Sequence, residues 1–389
     1  MKGIVSLASF AAVGVAASYS PLPPGVIKIP MTRILNQSAY GIEFEVGTPP
    51  QKNILKVDSG SPTIGFENPR NNICQQPGGL CDLYGIYNNL SSSTAVYSSN
   101  SYRDFLVDLG VGSFINDTLS FAGTTVPAFQ FGTYDQIGAN FPITTPISGI
   151  LGMGEFCFTN VNCSDYPGFV QQLFEKGIIS KRAFSVYLGP DNPNATGTLI
   201  LGGIDRAKRT GPVGVLPYVN PTSSEASNGP FNMNYTSMSL VSATGNSTTF
   251  SIMKGSFAIW DTGNPAWGLP QAAFESVTQY FELPTNTSTG GDPLTVDCKF
   301  RQPTTTTLNV GLLNGFVVNI PLHRLVTQLD TNTCIISVTG FSGTGGAGGV
   351  GAGWGDAFLR NVYATFDLDS GTITVSNVKY TDEEDIVAI

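Results

Sequence analysis

The sequence has one histidine, His323, in 389 residues. That excludes a His-rich metal cage and an HExxH zinc helix. A Ser–His–Asp triad would have to rest on that one residue, which lies in no motif context. Charge is also scarce: 12% of residues are charged, 19 Lys+Arg stand against 28 Asp+Glu, and no basic cluster occurs. A net charge of −9 without a cationic face argues against a nucleic-acid partner. Beyond the N-terminus no apolar run approaches the ~20 residues that span a bilayer, and the C-terminus from Asp382 to Ile389 is no lipid-anchor signal. No membrane anchor is expected. With 41% hydrophobic residues the chain is nevertheless a folded protein and not an acidic disordered tail.

Abundant turn formers, 45 Gly and 25 Pro, fit strands joined by tight turns. Gly41–Val46, Phe184–Tyr187 and Thr372–Val375 alternate with period two, as half-buried strands do. Helical spacing is confined to Phe169, Val170, Leu173 and Phe174, to Phe274, Val277 and Phe281 after Pro270, and to a short piece from Asp356 to Arg360. The stretch from Gly340 to Gly355 holds nine Gly and a formal GxGxxG at Gly343, Gly345 and Gly348. More glycine follows where a dinucleotide site needs a helix to open, and no GK[ST] follows either, so a loop is expected there. The N-terminus reads Met1-Lys2, an apolar run from Ile4, and a small-residue site at Val15-Ala16-Ala17. Residues 1–17 are thus expected to be a secretory signal peptide. Eight Asn-x-Ser/Thr sequons begin at Asn36, Asn89, Asn116, Asn162, Asn194, Asn234, Asn246 and Asn286, as in a glycosylated extracellular protein. In that oxidising setting the six Cys make three disulfides. Fifteen pairings are possible. Proximity favours Cys74–Cys81 and Cys157–Cys163, which leaves Cys298–Cys334.

The chain also repeats itself. Val57-Asp58-Ser59-Gly60-Ser61-Pro62-Thr63-Ile64-Gly65-Phe66 matches Trp260-Asp261-Thr262-Gly263-Asn264-Pro265-Ala266-Trp267-Gly268-Leu269 position by position in type, 203 residues later. Each copy follows strand-like sequence, so each half presents one Asp on a tight loop. A two-lobed chain with an approximate twofold axis would bring those loops face to face. Two carboxylates within about 3 Å cannot both stay ionised and share one proton. The ionised member can take a proton from water while the protonated one donates to a carbonyl oxygen, which hydrolyses an amide without metal, cofactor or covalent intermediate. Gly60 and Gly263 would allow close approach, and Ser59 and Thr262 would bond to the opposite loop. Ser61 and Asn264 would donate to the outer carboxylate oxygens.

At these residues the chain resembles a pepsin-like aspartic protease of the secreted, eukaryotic, fungal type, from about Tyr40 to Ser376. Gly47–Gln51, Ser148–Gly152, Phe184–Leu188, Leu201–Asp205, Ala258–Gly263, Gly355–Arg360 and Tyr363–Asp367 are similar to family segments. The resemblance implies an all-β, bilobal double barrel with few short helices, pseudo-twofold symmetry, a central cleft and a hairpin flap. It implies lobes of residues 40–215 and 216–389, with 18–39 a short pro-segment or N-terminal strand. It further implies a monomeric acid endopeptidase with Asp58 and Asp261 catalytic, peptide or protein substrates, possible protein inhibitors, and no cofactor or metal. Cys74–Cys81 and Cys298–Cys334 sit where the family has disulfides, whereas Cys157–Cys163 is not the usual third pair. Ile147 and Ile150 would line an apolar pocket beside Asp58 and favour large apolar residues at the cut. The flap run is best matched by Leu109-Gly110-Val111-Gly112-Ser113, with Leu for the family's Tyr; Phe105 and then Tyr102 are alternatives. The Trp that partners that Tyr falls at Gly65, and Gly353-Trp354-Gly355 replaces an apolar-apolar-Gly support behind Asp261. These departures leave an alternative: a pepsin-fold protein, catalytically weak or inactive, that binds peptide, inhibitor or glycan.

Overall fold

The computed structural model describes residues 21–34, 39–76, 79–103, 110–136, 147–155, 167–191, 196–219, 230–284, 287, 293–341 and 353–389. The expected signal peptide, Phe105, Leu109, Cys157, Cys163, the sequons at Asn36, Asn162, Asn194 and Asn286, and Gly343–Gly348 lie outside them.

In strand Ala39–Val46 the apolar Ile42, Phe44 and Val46 are buried while Glu43 and Glu45 are exposed, so one face must close over a core. It does so by rolling into a barrel. Ala39–Val46 pairs with Gln51–Asp58, then Gly149–Gly152, Ile64–Glu67, Thr124–Tyr134 and Val111–Phe121 follow, and the last returns to Ala39–Val46 through Glu45↔Ser120 and Val46↔Leu119. Phe44, Phe66, Phe121 and Phe131 meet inside it at ring distances of 4.7–6.3 Å. Helix Phe169–Glu175 plugs this core with Phe169. Phe174, expected on the same face, is exposed: the helix stops one residue later and the chain turns off at Gly177 (φ +68°), so nothing covers the ring.

The second lobe repeats the local plan. Its sheet runs Val317–Pro321, Thr307–Leu312, Asn232–Val241, Phe257–Trp260, Gly353–Trp354, Trp267–Pro270, Val338–Phe341. In the first lobe Gln51–Asp58 is parallel to Gly149–Gly152, which is antiparallel to Ile64–Glu67, which is parallel to Thr124–Tyr134. In the second, Phe257–Trp260 is parallel to Gly353–Trp354, which is antiparallel to Trp267–Pro270, which is parallel to Val338–Phe341. The sequence repeat is therefore a repeat of strand pairing. Between the lobes, Arg209–Pro217, Thr372–Val378, Val362–Asp367, Ala183–Tyr187, Gly197–Leu201 and Ile27–Ile34 form one continuous run of the large sheet. Ile27–Ile34 pairs on one side with Gly197–Leu201 and on the other with Ala39–Val46. The all-β, two-lobed expectation holds.

Gly353-Trp354-Gly355, which stands where an apolar-apolar-Gly support was expected, packs firmly behind Asp261. Trp354 is fully buried, with ring centroids 4.7 Å from Phe358 and 4.9 Å from Tyr235, and its carbonyl accepts from Asp261 N at 3.2 Å. The indole supplies the apolar contact that two flanking glycines cannot.

Both described disulfides are expected pairs, Cys74–Cys81 from proximity and Cys298–Cys334 by elimination. Cys298–Cys334 closes 36 residues. Replacing both cysteines with Ala is expected to lower unfolding free energy by about 3–4 kcal/mol, read by urea denaturation.

Candidate active site

Asp58 is the last residue of strand Gln51–Asp58, and Asp261 follows strand Phe257–Trp260 directly. Each begins a tight turn: Ser61 N donates to Asp58 O at 3.4 Å and Asn264 N to Asp261 O at 3.2 Å. Within each turn the glycine amide donates to the carboxylate, Gly60 N to Asp58 Oδ1 at 2.9 Å and Gly263 N to Asp261 Oδ1 at 2.8 Å.

The loops cross. A Cβ on Gly60 would stand 2.5 Å from Asp261 Cγ, and one on Gly263 2.5 Å from Asp58 Cγ. Only glycine fits at either position, because each backbone lies under the opposite carboxylate. A reciprocal hydroxyl grip joins them from below. Ser59 N donates to Thr262 Oγ1 at 3.0 Å and Thr262 N to Ser59 Oγ at 2.9 Å. Each hydroxyl then donates across the lobe boundary, Ser59 Oγ to Trp260 O at 2.7 Å and Thr262 Oγ1 to Val57 O at 2.9 Å. All four bonds are buried, so neither loop can shift without leaving polar groups unpaired.

Ser61 and Asn264, expected to donate to the outer carboxylate oxygens, have the following hydrogen bonds among the described residues. Ser61 Oγ lies 3.2 Å from Thr63 Oγ1. Asn264 Oδ1 accepts from Ala266 N at 2.8 Å, a local turn around Pro265 that uses up the side-chain oxygen. The cation beside the outer oxygen of Asp58 is Lys56. Its ammonium lies 3.6 Å from Asp58 Oδ2 and donates to Gly263 O of the other lobe at 3.2 Å. Lys56 escaped the sequence reading, although a signal was present. Leu55 and Val57 are buried, so alternation puts Lys56 on the same strand face as Asp58.

Asp58 is 8% exposed, and Asp261 keeps somewhat more open surface. Crowding by protein atoms raises the pKa of Asp261 first, and the charge of Asp58 raises it further. Lys56 opposes both.

The remaining expected residues are placed as follows. Ile150 is buried and is the register partner of Lys56; Ile147 is half-buried, its amide donating to Leu80 O at 2.9 Å. The hairpin Val96–Arg103 and Val111–Phe121 pairs Tyr102 with Gly112. Gly110 is buried beside Tyr134. Tyr102 is buried against Gly65 and Gly132, and its hydroxyl lies 3.3 Å from that of Tyr134. The aromatic ring of the hairpin thus occupies the volume opened by the missing Trp at Gly65.

The model of the eukaryotic aspartyl proteases matches residues 39–378. Candidapepsin of Candida tropicalis is 26% identical over 382 residues, covering 93% of this chain and 84% of that protein. Secreted aspartic protease 8 of Candida albicans is 28% identical over 91% of this chain and 80% of its own length. Aspartic proteinase yapsin-3 of Saccharomyces cerevisiae is 25% identical over 91% of this chain and 69% of its own length. With that match running through both crossed Asp loops, the chain belongs to the eukaryotic aspartyl protease family and is, by that membership, an aspartic endopeptidase.

Proposed function

We propose that Asp58 and Asp261 form the catalytic dyad of a secreted acid endopeptidase. The observation that carries this reading is the crossing of the two loops, each glycine lying beneath the opposite carboxylate. The proton rests on Asp261, whose pKa is raised; Asp58, beside the Lys56 ammonium, is the carboxylate. Asp58 takes a proton from a water molecule, whose oxygen attacks the peptide carbonyl carbon, and Asp261 donates its proton to the carbonyl oxygen. When the tetrahedral species collapses the C–N bond breaks, the proton taken by Asp58 passes to the leaving nitrogen, and one hydroxyl of the gem-diol returns its proton to Asp261, which restores the carboxyl group of the product and the singly protonated pair. The hydroxyl grip holds both carboxyls in place, so little reorganisation is needed.

Peptides or proteins are the substrates, cut between large apolar residues, with Ile147 and Ile150 flanking the Asp58 strand. Secretion is supported by the apolar N-terminal run and by the name of the Candida albicans relative. The described sequon residues Asn89, Asn116, Asn234 and Asn246 all keep access to solvent. The test is purified protein on acid-denatured globin across pH 2 to 7, with and without a statine-type transition-state mimic. Cleavage that peaks below about pH 5 and is blocked by the mimic is expected, because the dyad must hold one proton. No cleavage at any pH would sink the reading, and tight mimic binding without turnover would make the cleft a binding site only.

Lys56 sets the upper edge of that pH range. It draws the Asp261 pKa down, so its removal lets the pair keep its proton to higher pH. Lys56→Met is expected to move the alkaline limb of kcat/KM upward by about half to one pH unit, since the pair is partly solvent-exposed. A pH–rate profile of both proteins checks it; an unmoved or lowered limb is the contrary result.

A further inference from the structure

Far from the dyad in sequence, four of the chain's nine arginines converge. Arg301, Arg324 and Arg360 line a cavity of about 240 Å³ with Asp191, His323 and Tyr380. Arg33 reaches the same carboxylate from strand Ile27–Ile34. Asp191 Oδ1 accepts from Arg33 Nη1 at 2.9 Å and Arg360 Nη1 at 2.5 Å, and Arg301 Nη1 lies 3.5 Å from Oδ2. Arg324 makes no salt bridge among the described residues; its guanidinium carbon lies 5.0 Å from the Tyr380 ring centre. The side chains of Arg33 and Arg360 are 3% and 4% exposed.

One carboxylate, Asp191, is thus paired with three guanidiniums and a fourth, Arg324, lines the same cavity; guanidiniums never deprotonate. Asp356, the other acid that interacts with Arg33 and Arg360, does not make up the difference. Asp356 is buried, both of its carboxylate oxygens lack a hydrogen-bond partner among the described residues, and burial pushes its pKa up to about 7. In acid it is neutral. His323 is held low by burial and by Arg324, and its Nδ1 accepts from Thr304 N at 3.2 Å, so the neutral ring carries its proton on Nε2. The result is an excess of cationic donors, partly desolvated, in a chain whose net charge is −9. Buried charge without a counter-ion is costly, and guanidinium forks match oxyanions in shape as well as sign.

We propose that this cavity binds a small, doubly charged tetrahedral oxyanion of the sulfate or phosphate class, free or as a monoester. The anion neutralises the arginines that Asp191 leaves uncompensated. It ties together residues 33 and 191 of the first half of the chain and 301, 324 and 360 of the second. Arg360 follows helix Asp356–Leu359, whose leading amides hold the second Asp loop: Gly355 N donates to Ala266 O and Asp356 N to Asn264 O, both at 2.8 Å. Occupancy thus braces the lobe junction outside the reaction centre.

His323 is the sole imidazole, so its ring resonances report on the cavity without assignment. The untagged full chain is titrated with sulfate at pH 5, sulfate replacing chloride at constant ionic strength. The expected result is a saturable shift of the His323 resonances with a parallel rise in Tm. Arg324→Gln and Arg301→Gln should each weaken binding by about tenfold or more, with Arg324→Gln matching wild-type Tm in chloride. At pH 7, inorganic phosphate and O-phosphoserine separate the sources: equal affinities indicate a mouth open to a monoester, and binding of phosphate alone a site for the free ion. A linear drift that chloride reproduces, or undiminished binding in both variants, would overturn the proposal.

Discussion

Asp58→Asn and Asp261→Asn are each expected to lower kcat/KM for peptide hydrolysis by at least about 10³-fold, and the double variant to be no worse than the poorer single one. The amide is nearly isosteric with the carboxyl, so the crossed loops and the hydroxyl grip among Ser59, Thr262, Val57 and Trp260 persist. What changes is proton traffic. An amide at position 58 could not accept a proton from water, and an amide at position 261 could not supply a shiftable one to the carbonyl. Non-additivity follows because the two groups act on one proton as a unit. Loss of folding is a separable outcome. Asp261→Asn removes one member of a like-charged pair and should keep or raise Tm above neutral pH, where wild type carries both charges. Steady-state assays on folded variants decide the matter: either single variant retaining activity within tenfold of wild type would remove the dyad from the mechanism.

The proposed dyad and its crossed loops were legible in the sequence because their information is local and duplicated. Ten residues specify a strand end, a turn and a glycine, and the second copy says that the unit is used in pairs. The grip followed from the same ten residues, since Ser59 and Thr262 occupy equivalent places and symmetry makes them reciprocal. A side chain next to a turn can also close that turn, as the Asn264 oxygen does by accepting from Ala266 N, which the ten-residue pattern does not reveal. Lys56 needed register rather than pattern, because its second partner, Gly263 O, lies 207 residues away. The arginine cluster was invisible for the same reason. Arg33, Asp191, Arg301 and Arg360 belong to no motif and lie far apart in the sequence, and only the tertiary fold brings them together. Tyr102 shows how a departure from a family pattern is absorbed. Gly65 removed a large ring from one strand, and a ring from a neighbouring hairpin fills the space.

Stability should peak in mild acid and fall steeply toward neutrality, by on the order of 5 kcal/mol between pH 4 and 8. Glu67 and Asp356 carry the effect, being 3% and 4% exposed. Burial pushes both up to about 7; Asn71 Nδ2, donating to Glu67 Oε2 at 2.7 Å, only partly offsets this for Glu67. In the unfolded chain both ionise near the ordinary carboxylate range, so folding is favoured most while they are protonated. That advantage shrinks as pH rises past the unfolded values and is gone once it passes the folded ones, with Asp261 adding to the same trend. The opposite slope comes from Asp117 and Asp367, which are held low by hydrogen bonds from Thr94 and Tyr87 and from Lys181 and Ser370. Their contribution is present above the ordinary carboxylate range and is lost as pH drops through their lowered values, which sets the acid edge. A fall of this size is a large fraction of the stability of many domains, so the folded protein should be markedly easier to unfold in neutral than in acid surroundings. Urea unfolding at half-unit pH steps measures the curve. Glu67→Gln keeps an acceptor for Asn71 and Asp356→Asn removes the second buried acid, so each should flatten the limb between pH 5 and 8, and together they should abolish most of it. A wild-type curve that is level or rising over that interval would mean these carboxyls ionise in the folded protein without penalty, and the account of their burial would fail.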